Sequence, residues 1–181
     1  MRRGLPALCC WALAALVSLA GCSHYELGTE GRLAFTTLYV APVQNRTMLP
    51  QAQAAISTQL RADLIRDGRV QLVNSAAGAD ATLTVVITDY HRDVAAQREQ
   101  DTGLASKFVE TVGSACTLRD NRSGRALFEN RLVSIQRAVF TDNGNPHSLT
   151  IGDQQQSEYN TIPLVAEALA NRIAHTVLDV W

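Results

Sequence analysis

Thr82-Leu83-Thr84-Val85-Val86-Ile87-Thr88 alternates apolar and hydroxyl side chains. An extended chain therefore turns Leu83, Val85 and Ile87 to one side and Thr82, Thr84 and Thr88 towards the other, as a half-buried strand requires. Two further strands are expected downstream, Lys107 to Arg119 and Ala126 to Phe140. Asp120-Asn121-Arg122-Ser123-Gly124 joins them with hairpin turn chemistry, and Asp142-Asn143-Gly144-Asn145-Pro146 stops the second. Residues 91–106 are polar, carry no strong apolar period and read as a loop.

Upstream, Phe35 to Val43 is rich in β-branched and aromatic residues, ends around Pro42 and predicts a first strand. Asn45-Arg46-Thr47 makes the next loop. Pro50 stands where a helix begins, and Ala52, Ile56, Leu60 and Leu64 recur every fourth residue until Asp67-Gly68. Val70 to Val73 is a short strand and Ala76-Ala77-Gly78-Ala79 a turn. A C-terminal helix carries one apolar stripe through Tyr159, Ile162, Ala166, Leu169, Ile173, Val177 and Val180. It begins either near Thr161, with Pro163 in its first turn, or near Asp153 with a kink at Pro163. The unbroken phase back to Tyr159 favours the longer helix. This order predicts an α+β two-layer sandwich, with two helices on one face of a mostly antiparallel, roughly four-stranded sheet.

The chain starts differently. Arg2 and Arg3 precede an apolar run from Leu5 to Leu19, about 15 residues where about 20 would be needed to cross a hydrocarbon core. A removed signal peptide fits better than a membrane-spanning helix. The run ends in Leu19-Ala20-Gly21-Cys22, which resembles the lipobox of bacterial lipoproteins. That resemblance implies cleavage before Cys22, a diacylglyceryl group on its sulfur and acylation of the new amino terminus. The expected organisation is a signal peptide at 1–21, a lipidated tether at 22–33 and a single domain at 34–181. In that family an Asp after the lipidated cysteine resembles an inner-membrane retention signal. Ser23 stands there, so the outer membrane is expected.

Cleavage leaves 160 of the 181 residues, with 14 basic against 17 acidic side chains, a net charge of −3 that argues against a nucleic-acid partner. Cys9 and Cys10 leave with the signal, so Cys116 alone remains unmodified, and it reads as a small core residue. Asn45-Arg46-Thr47 and Asn121-Arg122-Ser123 match the glycosylation sequon, which a bacterial lipoprotein gives no reason to use. His24, His91, His147 and His175 share no metal-ligand spacing, and Asp89 and Asp93 beside His91 make a weak catalytic candidate. No Ser-centred elbow, phosphate-cradling Gly loop or Cys-His arrangement stands out. No enzyme activity is expected, and no cofactor beyond the lipid on Cys22.

The basic residues, all Arg except Lys107, have two readings. Arg92, Arg98 and Lys107 lie in or beside the polar loop, Arg119, Arg122 and Arg125 lie at the next hairpin, and Arg131 and Arg137 lie on the last strand. They form either a solvated face balanced by Glu99, Asp101, Asp120 and Glu129, or a patch contacting phosphates through charge-assisted bonds.

Several phrases in order resemble the lipopolysaccharide-assembly lipoproteins, the LptE family. They are the lipobox, His24-Tyr25-Glu26-Leu27-Gly28, Leu38-Tyr39-Val40-Ala41-Pro42-Val43 with Gln44-Asn45-Arg46-Thr47, and Arg66-Asp67-Gly68-Arg69. Gly78-Ala79-Asp80-Ala81-Thr82-Leu83 and Ala168-Leu169-Ala170-Asn171-Arg172-Ile173 before a terminal Trp181 complete the set. The resemblance implies two helices on a four-stranded sheet and a non-enzymatic role inside the outer-membrane β-barrel LptD, where lipopolysaccharide enters the outer leaflet. Some members of that family also bind lipopolysaccharide through basic residues, but those match no motif here. Arg92, Arg98, Lys107, Arg119, Arg122 and Arg125 are therefore candidates for phosphate contact on position alone. The Val40 to Thr47 phrase also resembles curli-secretion-type lipoproteins, a second envelope assembly, and a lipid-anchored hydrolase using Asp89 or Asp93 is a third class.

Overall fold

The computed structural model describes residues 33–97, 105–141 and 151–180, with the side chains of 151–155 excepted. The elements run β1 (Thr37–Val40), β2 (Gln44–Asn45), α1 (Pro50–Asp67), β3 (Gln71–Val73), a 3₁₀ turn (Ala76–Gly78), β4 (Ala81–Gln97), β5 (Ala105–Asp120), β6 (Ala126–Phe140) and α2 (Ile151–Leu178). They form one sheet in the order β3-β1-β4-β5-β6, with β2 also paired to β4.

The sandwich of two helices on a sheet holds, but the sheet has six strands and is mixed. β1 pairs in parallel with β3 and with β4, and β2 pairs in parallel with β4. β4, β5 and β6 are antiparallel. The parallel half follows from α1, which carries the chain back along the sheet before β3 begins, a crossover that a tight hairpin cannot make. Pro42 divides the first strand in two because it has no N–H to donate. The chain stays on β4 across the gap, Ala41 N–H donating to Leu83 O at 2.9 Å and Arg46 N–H to Ile87 O at 3.0 Å.

α1 buries Ala52, Ile56, Leu60 and Leu64, as its four-residue period requires, and Gly68 ends it at φ +77° with its N–H on Leu64 O. α2 is the longer helix, with Pro163 inside it. It buries Ile162, Val165, Ala166, Leu169, Ala170, Ile173, Val177 and Leu178. Tyr159 departs from the expected stripe and is 58 % exposed. Glu158 is the partner of Arg92 on the sheet in that turn, which leaves Tyr159 turned outward. Between the layers, Leu38, Val40, Leu83, Val85, Ile87, Cys116, Leu118, Val133 and Ile135 meet both helices in one core.

The segment expected as a loop at 91–106 is mostly strand, β4 reaching Gln97 and β5 starting at Ala105. Residues 98–104 lie outside the described residues. The reason is a β-bulge. Ile87 pairs with Ser114 and Asp89 with Gly113, so Thr88 is an extra residue and the alternation slips by one. Beyond it Tyr90, Arg92 and Val94 continue the helix-facing side, opposite Val112, Glu110 and Phe108. Gly113 belongs to the same device, since a Cβ there would stand 3.2 Å from Asp89 Cβ. A second bulge interrupts β6 at Glu129 and Asn130, which together oppose Thr117; Asn130 has φ +48° and its N–H reaches Thr117 Oγ1 at 3.1 Å.

Candidate functional site

The hairpin after β5 is built around Asp120, whose Oδ1 accepts from Arg122 N–H at 2.7 Å and Ser123 N–H at 3.1 Å, while Gly124 supplies φ +69°. Arg119 donates to Gly124 O at 2.7 Å within the turn. The hairpin is clasped to the start of the domain through Asp80. Asp80 Oδ2 accepts from Thr36 N–H at 3.1 Å, Thr36 Oγ1 at 2.8 Å and Thr37 N–H at 3.0 Å, and Oδ1 accepts from Arg122 at 2.5 Å. Asn121 completes the clasp, donating from Nδ2 to Ala76 O and Ala79 O and accepting Thr82 Oγ1 at 2.9 Å. The Thr36 and Thr37 donors hold the Asp80 carboxyl well below the usual carboxylate range.

Arg92 and Lys107 sit at the opposite end of the sheet. Lys107 and Arg119 both lie on β5, twelve residues apart, a span of about 40 Å at about 3.3 Å per residue. The structure thus divides the candidate basic residues into two groups. Arg119, Arg122 and Arg125 share the hairpin end, while Arg92 and Lys107 share the far end; Arg98 lies outside the described residues. Arg92 pairs with Glu158 and stands 5.5 Å from the Phe108 ring centre, and Lys107 Nζ stands 5.3 Å from that of Phe140. Arg131 lies over Phe128 at 4.5 Å, at the β6 bulge. Cys22 also lies outside the described residues.

Two acidic groups escaped the sequence reading. Asp80 lies in a quoted phrase, but its partners are more than 40 residues away in sequence. Glu110, 3 % exposed, occupies a helix-facing position of β5 between Phe108 and Val112. Its Oε1 accepts from Tyr90 Oη at 3.5 Å, and burial followed by the nearby Glu158 pushes its carboxyl up. Burial, with Glu110 and Glu158 close by, raises the Tyr90 phenol to about 12. An acidic residue in phase with an apolar stripe was the available signal.

His91 lies between Asp89 Oδ1, 3.1 Å from Nδ1, and Asp93 Oδ2, 3.8 Å from Nε2, all three at least half exposed on the face without helices. Cys116 is fully buried, and burial pushes its thiol up. Among the described residues no group of three His, Cys, Asp or Glu is placed to hold a metal ion, and no helix is long and apolar enough to cross a membrane. A cleft of about 260 Å³ between the C-terminal ends of α1 and α2 is lined by Asp63, Asp67, Asn171 and His175 among others. Asp63 Oδ1 accepts from Gln59 at 3.0 Å and Arg66 at 2.9 Å there.

Three solved structures share this fold. A minor lipoprotein from Acinetobacter baumannii is 17 % identical with a TM-score of 0.51, covering 81 % of this chain and 92 % of its own. Uncharacterized lipoprotein B from Nitrosomonas europaea is 15 % identical with a TM-score of 0.51, covering 83 % and 84 %. The hypothetical protein CT253 from Chlamydia trachomatis is 14 % identical with a TM-score of 0.53, covering 80 % and 97 %. No curated protein sequence matches the chain significantly. The family model described as LptE, lipopolysaccharide-assembly, matches residues 35–178.

Proposed function

The chain belongs to the LptE lipopolysaccharide-assembly family, and from that membership we propose a lipid-anchored, non-enzymatic subunit that plugs and helps assemble an LptD-type outer-membrane β-barrel. In that position it supports lipopolysaccharide insertion into the outer leaflet. The observation that carries the reading is the extent of the family match, residues 35–178, which runs from before β1 to the last residue of α2. The face of the sheet without helices is compatible with an aqueous barrel lumen, since Thr82, Thr84, Thr117, Ser134 and Gln136 project from it.

We assign Cys22 as the lipidated residue and the periplasmic side of the outer membrane as the location, on the strength of Leu19-Ala20-Gly21-Cys22 followed by Ser23. The acyl chains supply membrane affinity at about 0.8 kcal/mol per buried CH₂, so a net charge of −3 after cleavage is no obstacle to attachment. For lipopolysaccharide phosphates we favour the hairpin group Arg119, Arg122 and Arg125, which stand at one end of the sheet on the last residues of β5 and the turn after it, over Arg92 and Lys107, which lie on opposite faces of the sheet. The full-length lipoprotein, purified from detergent-solubilised outer membranes, is expected to bring down a large β-barrel protein in stoichiometric amount. Recovery without any barrel partner would overturn the reading.

A further inference from the structure

β6 ends the sheet, and among the described residues it pairs only with β5. Its regular part runs from Arg131 to Phe140 in one unbroken register with β5. Thr141 N–H donates to Ser106 O at 3.1 Å, which fixes the alternation of the ladder just before it. In an antiparallel pair every second residue turns both backbone groups to its partner. Val133, Ile135, Arg137 and Val139 therefore bond to β5, and Leu132, Ser134, Gln136, Ala138 and Phe140 point their N–H and C=O groups away from the sheet. All five are exposed, Leu132 at 78 % and Phe140 at 63 %.

An open edge of this length is a template for another strand, and proteins blunt such edges with Pro, Lys or bulges. The run from Leu132 to Phe140 has none of these; the bulge lies outside it, at Glu129 and Asn130. Its one charge, Arg137, is of the inward-pointing kind that also blunts edges, but it stands across from Glu110 of its own chain, which offsets it. The five outward residues are also symmetric about Gln136. Leu132 lies four residues before it and Phe140 four after, both on the face without helices.

We infer that the β6 edge is a self-association surface, on which a second copy of this chain pairs antiparallel with Gln136 on the two-fold axis. Leu132 then faces Phe140 of the other copy, Ser134 faces Ala138, and Gln136 faces itself. Apolar meets apolar, small meets small and amide meets amide. A slip of two residues in either direction parts Leu132 from Phe140, so the side chains select one register. The axis stands perpendicular to the sheet, so the helices of both copies lie on one side. This pairing is a property of the domain and does not depend on the barrel partner proposed above.

Full-length chain in cells, carrying Gln136→Cys, tests the register. Residues facing each other in a hydrogen-bonded pair stand about 5.5 Å apart at Cα, within disulfide range. Mild oxidation is expected to give a disulfide-linked dimer above the background of the unsubstituted chain, whose Cys116 is buried. Ser134→Cys is the register control, since two such thiols would stand about 13 Å apart along the strands and stay unlinked. Adding Ala138→Pro to Gln136→Cys removes an outward N–H but no bond to β5, and should cut the cross-link about tenfold while leaving thermal unfolding unchanged. The inference is overturned if Gln136→Cys stays monomeric while its thiol still reacts with a maleimide. It is equally overturned if Ser134→Cys links as well, or if the link forms to a protein of another mass.

Discussion

Asp80 joins parts of the chain that local pattern cannot connect. Its two carboxylate oxygens take three donors from Thr36 and Thr37 and one from Arg122, residues 42 to 44 positions away. These donors favour the charged form, so the folded-state pKa lies below the unfolded one. The stabilisation is complete above the unfolded value of about 3.9 and is lost as pH falls through the folded value. Asp80→Asn keeps the shape but loses the charge, and is expected to lower the unfolding midpoint by a few degrees at about pH 7. The gap to the unsubstituted chain should narrow below about pH 4, as followed by circular dichroism melts. An unchanged midpoint at neutral pH would show that the clasp is idle. The sequence exposed Asp80 as part of a family-like phrase, yet its role was hidden because all its partners arrive by tertiary folding. Arg122 was legible as a turn residue and a possible phosphate contact, but its link to Asp80 was not.

Periodicity predicted both helices because each packs a continuous apolar face on the sheet. Leu169 on α2 is fully buried, whereas Leu164 on the same helix is 50 % exposed. Leu169→Ala should therefore cost about 2–5 kcal/mol in urea unfolding, and Leu164→Ala well under about 1 kcal/mol. Similar losses at both positions would mean that α2 packs on a different face. Strands were less legible wherever their phase slips. Thr82 to Ile87 alternates cleanly, but the bulge at Thr88 moves the core-facing positions from odd to even numbers. The stretch from His91 to Gln97 then shows charged and small residues on both sides and so falls in the segment 91–106 that reads as a loop. Its backbone ladder with β5 maintains it as a strand without an apolar pattern of its own. Glu110 escaped for a related reason, since its burial depends on what Tyr90 and α2 place over it.

For the molecule as a whole, strand count and parallel pairing were out of reach because period-two patterning reports faces and not neighbours. β1, β2 and β3 are two to four residues long and owe their places to α1 and to β4. The proposed attachment through Cys22 is separate from folding, because Cys22 precedes Phe35, where the family match begins. Cys22→Ser should abolish incorporation of labelled palmitate into the chain while leaving the unfolding midpoint of the domain unaltered. Palmitate incorporation undiminished in the variant would sink the lipid assignment. The Thr88 bulge also carries a genetic consequence. Loss of that single codon would restore an unbroken alternation along β4 and leave every residue beyond it on its present face, because Thr88 is the one residue without a partner between Ser114 and Gly113. Asp89, His91 and Asp93 would keep the face without helices, and Tyr90 and Arg92 the side beneath α2. A central strand that the loss of most other single residues would turn half inside out can thus lose this one, as a surface loop does.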